Sequence, residues 1–157
     1  MRVGIGYDIH KLIENKELDF KLSGIPIPFD KRCVANSDGD VAIHALIDAM
    51  FGAAALGDIG FHFPDTNLKY KNADSAFLLQ NCNQLLINNG FTIENIDITI
   101  ITEKPNLAPY IYPMREKLSE ILNTDIQKIS VKAKTNEQLD SLGRGDAIAA
   151  HAVILIS

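Results

Sequence analysis

The stretch that most constrains this chain opens with Asn36-Ser37-Asp38-Gly39-Asp40, a run of helix-capping and turn-forming residues. It continues into apolar residues at Val41, Ala42, Ala45, Leu46, Ala49 and Met50. Side-chain oxygens of Asn, Ser and Asp accept from the first free amides of a helix, and the apolar residues that follow recur at helical spacing. The pattern predicts a helix that starts near Asp38 to Asp40 and runs to about Gly57.

Strand signals surround this helix. Residues 2–10 alternate enough for a short strand, and the Lys-, Glu- and Asn-rich stretch after them reads as a loop or hairpin. Residues 18–27 read as a further strand pair, kept peripheral by Pro26 and Pro28, because proline cannot donate to a central ladder. Residues 57–66 show no regular period and read as a loop with an aromatic interior; a second helix over 73–88 ends near Gly90. Ile96, Ile98 and Ile100 share one face of a strand within 91–102, which Pro105 and Pro109 end. Residues 110–122 suit a third helix, and 129–134 and 147–156 finish as strands, the last rich in small and β-branched residues as a sheet centre is. The expectation is an α+β fold in a single domain over residues 1–157, with a mixed sheet of about four main strands and helices packed on one face.

A chain of 157 residues buries roughly 70% of its unfolded surface, so its core needs no metal or disulfide staple and a metal site would serve function. Fifteen basic against twenty acidic side chains give a net charge of −5, which lacks the basic surplus of a phosphate-backbone binder and argues against nucleic acid as a partner. A small phosphorylated substrate stays compatible with this balance if metal ions supply the neutralising charge. Cys33 and Cys82 stand outside any Cys-x-x-Cys pattern and are expected as free, reduced thiols. The first residues read as strand and no apolar run reaches the length of a membrane span, so the expectation is a soluble chain in a bacterial cytoplasm with no membrane partner.

Asp8 and His10 are two residues apart and share one face of an extended segment, which is chelating geometry. The candidate third ligand is His44 in the first turns of the predicted helix, with Asp48 one turn later as the carboxylate that would orient it. One Asp and two His with a fourth position open suit a catalytic Zn²⁺. Each residue also has an ordinary role, a strand-end Asp as a turn cap and a helix-borne His as a satisfied side chain, and spacing alone favours that. Gly4-x-Gly6 lacks the third glycine of a dinucleotide fingerprint, and no Walker-type loop occurs. The segment from Lys132 to Glu137 offers lysines, a hydroxyl and a carboxylate for a phosphate with its cation, or equally a helix cap beside exposed lysines. Arg144, between Gly143 and Gly145, is an anion contact or part of a tight turn. His62, in an aromatic loop, and His151, inside the last strand, read as non-ligands, and Phe61, Phe63, Leu107 and Leu139 as core or loop anchors rather than a substrate box.

Taken together, residues 6–10, 36–48 and 57–60, the Phe63-Pro64-Asp65-Thr66 segment and Gly143-Arg144-Gly145 resemble the 2-C-methyl-D-erythritol 2,4-cyclodiphosphate synthase family, in order and across essentially the whole chain. The resemblance implies a homotrimer with active sites between subunits, in the non-mevalonate route to isoprenoid precursors. The substrate would be 4-diphosphocytidyl-2-C-methyl-D-erythritol 2-phosphate, whose 2-phosphate attacks the β-phosphorus of its own diphosphate and releases CMP, a phosphorus–oxygen lyase reaction. By position in the family motifs, Asp8, His10 and His44 would bind one Zn²⁺ per subunit, and Glu137 a second divalent ion, Mg²⁺ or Mn²⁺.

The same carry-over places Asp8, Ile9, His10, Asn36 and Ser37 against the substrate. Asp58, Ile59, Gly60, Phe63, Pro64, Asp65, Thr66 and Asn67 would lie near the ribose and methylerythritol. Thr102, Pro105, Asn106, Leu107 and Ala108 would surround the cytosine and phosphates with Ala133, Lys134, Thr135 and Asn136, and Ser141 and Arg144 complete the set. Thr135 would stabilise the transition state, with Asn36 where the family usually has His; an amide still hydrogen-bonds a phosphate but carries no positive charge. Lys134 stands where some members have Thr, Asn106 where a Lys is frequent, and Ser141 where an aromatic residue is often found near the trimer axis. Two other readings use the same residues: a metal-dependent phosphohydrolase, and a trimeric structural or regulatory relative without activity.

Overall fold

The structure, a computed structural model, describes residues 1–15, 20–64, 66–67 and 73–157. Among the described residues, seven strands and five helices follow one another as β1 (Arg2–Glu14), β2 (Phe20–Leu22), β3 (Ile25–Ile27), β4 (Lys31–Val34), α1 (Val41–Ala54), α2 (Ile59–His62), α3 (Ser75–Asn88), β5 (Ile93–Ile101), α4 (Ile111–Leu122), β6 (Ile129–Lys134), α5 (Asp140–Gly143) and β7 (Ala147–Ile156). Short 3₁₀ turns over Ala108–Tyr110 and Ile126–Lys128 lead into α4 and β6.

The main sheet has the order β4-β1-β7-β5-β6, antiparallel except for the parallel β5/β6 pair; β2 and β3 form a separate hairpin. The sheet thus has five strands rather than about four. The extra one is β4, a four-residue edge strand on Lys11 to Glu14, too short to give a periodic signal. For the same reason β1 continues to Glu14, into the charged stretch expected as a loop or hairpin, because β4 supplies ladder partners there. Pro26 lies in the peripheral hairpin as expected, opposite Lys21. The first residues of the expected strand pair, 18 and 19, lie outside the described residues.

Helix α1 is nearly encircled by other elements: twelve of its 14 residues are buried, all but Asp48 and Gly52. Its cap is Asp40, whose carboxylate accepts from the Ile43 amide at 3.1 Å and also from Ser23 and Gly24 at 2.9 and 2.7 Å. A left-handed Ala55 ends the helix before Gly57. The helix lies directly on β1, and Gly4 and Gly6 are the reason it can. A β-carbon at Gly4 would overlap the Ala49 carbonyl oxygen, and one at Gly6 the Ala45 carbonyl oxygen. The Gly-x-Gly pair is therefore a seat for a helix, with Ala45, Ala49 and Ala53 as the matching small residues.

Helices α1, α3 and α4 cover one face of the sheet, while the one-turn α5 packs Leu142 on Ala147, Ala149 and Ile101 at one end of the other. On the α1 side Ile96, Ile98 and Ile100 of β5 and Ile148, Ala150, Ala152, Ile154 and Ile156 of β7 are fully buried. On the other, Val3, Ile5, Tyr7 and Ile9 of β1 and His151 and Val153 of β7 are exposed, Ile5 at 72%. Residues 57–66 contain a helical turn, α2, capped by Asp58 through the Phe61 amide. Phe61 and Leu139 are exposed, at 76% and 67%, and so are not core anchors; Phe61 is on the one-turn α2 and Leu139 immediately precedes α5. Leu107 is buried, and His62 stacks on Phe51 while donating to the Leu56 carbonyl. Both cysteines are buried free thiols, and no described helix is long and apolar enough to cross a membrane.

Candidate active site

Because strand residues alternate, Asp8 and His10 both point to the helix side of β1, and the close seat of α1 brings His44, in its first turn, onto them. His44 Nδ1 lies 3.0 Å from Asp8 Oδ2 and 3.1 Å from His10 Nε2, and His10 Nε2 lies 3.0 Å from the same carboxylate oxygen. A tetrahedral ion with arms of about 2.0–2.1 Å has donor–donor edges of about 3.3 Å. The three atoms thus already stand nearly where a divalent ion needs them, and they line a cleft of about 490 Å³ that leaves a further coordination direction accessible.

The far side of His44 is held separately. Its Nε2 is 2.9 Å from Ser75 Oγ and 3.1 Å from Ser37 Oγ, and the Ser75 hydroxyl in turn donates to Asp38 Oδ1. Asp38 Oδ2 accepts the Ser75 amide at 3.1 Å and faces Lys21 Nζ at 3.9 Å. A proton kept on Nε2 leaves the Nδ1 lone pair for a metal. Asp48, expected in this role, instead accepts the Ile59 amide at 2.8 Å. One turn past His44, it fixes the start of α2 at the rim of the cleft. Burial pushes its carboxyl up, opposed by the Ile59 amide and helped by the charges of Asp58 and Asp8.

Burial also acts to raise the Asp8 carboxyl, but hydrogen bonds with His10 and His44 and their charge hold it well below the usual carboxylate range. For His44 burial acts downward, yet the Asp8 hydrogen bond and the charges of Asp8, Asp40 and Asp38 raise it above the ordinary histidine value. Asp40 is itself pushed up by burial, against the amides of Gly24, Ile43 and Ser23.

The cleft also takes in Asn36, Ser37, Ile59, Gly60 and Phe63. Ile9 is on the opposite, open face of β1, so its side chain does not meet this cleft; alternation along the strand separates it from Asp8 and His10. Asp58 caps α2 behind the rim, and Pro64 accepts the Asn67 amide at 2.9 Å in the turn that also holds Thr66. Asp65 lies outside the described residues.

A second cleft, of about 450 Å³, opens at the exits of β5 and β6. Its floor is Thr102, Pro105, Asn106, Leu107 and Ala108, after a cis Lys104–Pro105 peptide, and its wall is Ala133, Lys134 and Thr135. The Thr102 amide donates to the Lys134 carbonyl at 2.9 Å, and Asn106 Oδ1 accepts the Ala108 amide at 3.1 Å. Glu137 is next to this cleft rather than near the triad, with its carboxylate accepting from Thr135 Oγ1 at 3.0 Å. Asn136 donates to Leu139 and Asp140, Ser141 is on α5, and Arg144 pairs with Asp146 at 3.0 Å; none of these three lines either cleft.

Register places both clefts at the same end of the sheet, since Ile9 pairs with Ala149, Ala149 with Ile101 and Ile101 with Lys134. β1 and β6 are nonetheless three strand spacings apart, about 14 Å. Sequence reasoning missed Ser75, Asp38 as its partner, and Glu103 of the second cleft. Ser75 carries no local signal beyond following a capping Asp74, because its partners are contributed by other elements.

A model of the YgbB family matches residues 1–157. The 2-C-methyl-D-erythritol 2,4-cyclodiphosphate synthase of Brachyspira hyodysenteriae is 53% identical over 156 residues, covering 99% of this chain and 98% of its own. That of Clostridium perfringens is 49% identical, with 99% of both chains covered. Among solved structures, a 2C-methyl-D-erythritol-2,4-cyclodiphosphate synthase in its CDP-bound form superposes with a TM-score of 0.91 at 32% identity, covering 99% of this chain and all of its own. The IspF of Plasmodium falciparum in complex with CDP gives 0.86 at 34% identity, covering 99% and 94%. With fold, length and sequence in agreement from end to end, the chain belongs to the YgbB family, alongside these cyclodiphosphate synthases.

Proposed function

We propose that the protein converts 4-diphosphocytidyl-2-C-methyl-D-erythritol 2-phosphate into 2-C-methyl-D-erythritol 2,4-cyclodiphosphate and CMP, as a single catalytic domain over residues 1–157 in the non-mevalonate isoprenoid pathway. The observation that carries this reading is the Asp8, His10 and His44 triad at the head of a cleft, in a chain half identical to synthases of that name. An oxygen of the 2-phosphate forms a bond to the β-phosphorus; the bond from that phosphorus to the bridging oxygen breaks, and CMP leaves with the electron pair. No water is consumed, so the enzyme is a phosphorus–oxygen lyase.

The chain's own residues bring the two ends of one flexible molecule together. Holding reactants in one conformation supplies up to ~7 to 11 kcal/mol in well-oriented intramolecular reactions, which is why no side-chain nucleophile is needed. Asn36 and Ser37, beside the triad, offer hydrogen bonds to a phosphate, and Thr135 offers a hydroxyl at the second cleft, where backbone groups of residues 105–108 read the cytosine edge. The donor set suits Zn²⁺, with Glu137 for Mg²⁺ or Mn²⁺; ions held there neutralise phosphate charge that a chain of net charge −5 does not.

We read the enzyme as a homotrimer in a bacterial cytoplasm, with the two clefts of neighbouring subunits forming each site. Two observations support this: the uncovered apolar face of β1 and β7, and the lateral separation of the clefts within one chain. Incubation of the zinc-loaded protein with substrate and Mg²⁺, followed by ³¹P NMR, is expected to yield cyclic diphosphate and CMP in equal amounts, lost in a folded His44→Ala variant. A linear phosphorylated product formed with water would instead establish a phosphohydrolase, and no turnover at a filled metal site a regulatory relative.

A further inference from the structure

The segment after β6 is held in a conformation its own sequence does not favour. Glu137, Gln138 and Asp140 all have left-handed backbone angles, with φ of 52°, 62° and 56°, and none is glycine. Such residues persist only where surrounding contacts over-determine them. The contact that does so comes from the bend that follows β5: Glu103 Oε1 accepts the Asn136 amide at 2.8 Å and the Gln138 amide at 3.3 Å. Glu103 thus grips the loop on both sides of Glu137, and the Thr135 hydroxyl reaches the Glu137 carboxylate at 3.0 Å within that grip. On the loop's other side α5 packs so tightly that a β-carbon at Gly143 would overlap the Gln138 backbone.

We infer that Glu103 is a positioning residue: by accepting the Asn136 and Gln138 amides it holds Thr135 and Glu137 together at the mouth of the second cleft, ready for a divalent cation bound with a nucleoside diphosphate. The requirement is for an acceptor oxygen, not for charge, because both donors are neutral amides. Glutamine meets it and alanine does not. The inference rests on the reading of Glu137 as a ligand of the second cation.

Two variants, Glu103→Ala and Glu103→Gln, test it in the zinc-loaded protein. Amide hydrogen exchange reads the grip directly: Asn136 and Gln138 are expected to exchange at least tenfold faster in Glu103→Ala and within about threefold of the parent rate in Glu103→Gln. Mn²⁺ titration with CDP present, followed by electron paramagnetic resonance, is expected to show at least tenfold weaker binding in Glu103→Ala, near-parent binding in Glu103→Gln, and unchanged zinc content in both. Unchanged exchange in Glu103→Ala overturns the proposal, as does faster exchange with parent-like Mn²⁺ binding, or a Glu103→Gln variant as impaired as the alanine. A Glu137→Gln variant with parent-like Mn²⁺ affinity overturns the reading of Glu137 instead, and leaves the exchange result to decide the grip.

Discussion

His44 Nε2 lies 2.9 Å from the Ser75 hydroxyl, which passes the contact on to the Asp38 carboxylate, so the imidazole that completes the triad is oriented by the first residue of α3. Partners of this kind typically change metal affinity by 10–100-fold. Ser75→Ala is therefore expected to weaken zinc binding by about that range, and Ser75→Thr, which keeps the hydroxyl, to restore most of it. Competition with a chromophoric chelator measures both. Parent affinity in the alanine variant would show that Ser37 alone suffices.

The seat of α1 on β1 gives a steric prediction. In Gly6→Ala the new methyl group meets the Ala45 carbonyl, backbone that cannot swing aside as a side chain would. Overpacking of this sort costs about 1–3 kcal/mol, occasionally more. A lower denaturation midpoint is expected in urea, together with weaker metal binding, because α1 carries His44. A variant with the parent midpoint and affinity would mean that the helix can lift without disturbing the triad.

The long helix and the strand of Ile96, Ile98 and Ile100 were legible in the sequence from their period, and the strand at 147–156 from its small and β-branched residues. The triad was legible in part: alternation alone aligned Asp8 with His10, whereas the approach of His44 depended on two glycines whose meaning is only spatial. Asp48 misled because helical spacing puts it on the face of His44 without saying which way the ring turns. Ser75 and Glu103 act across elements, on His44 and on the amides after β6, and no local pattern marks such contacts.

The triad also sets a pH dependence. In the metal-free protein, His44 is raised above its ordinary value of about 6.5, against burial, by its hydrogen bond to Asp8 and the surrounding carboxylates. A group raised on folding contributes stability that is complete below its unfolded value and is lost as pH rises through its folded value. Asp8, depressed on folding, contributes stability above the usual carboxylate range that is lost on acidification. The metal-free protein is accordingly expected to lose stability as pH climbs past 6.5, whereas zinc affinity rises over the same interval as the proton on His44 is displaced. Thermal melts with and without zinc between pH 6 and 8, and in His44→Gln, check the opposed slopes; parallel slopes would remove His44 from the titrating pair.

Val3, Ile5 and Tyr7 on β1, with His151 and Val153 on β7, leave an apolar strip exposed behind the β1 face that carries Asp8 and His10 of the candidate triad. A contiguous patch of this kind marks an association surface, and a second copy of the chain would bring its own cleft of β5 and β6 toward the triad. Replacing Ile5, 72% exposed, with Glu places a charge in that strip without touching the core of the single chain. On the trimeric reading proposed above, the expected result by light scattering is a shift toward monomer with zinc affinity retained and turnover lost, since each site would keep only half of its walls. A monomeric Ile5→Glu variant that still forms the cyclic diphosphate at the parent rate would place the whole site within one subunit.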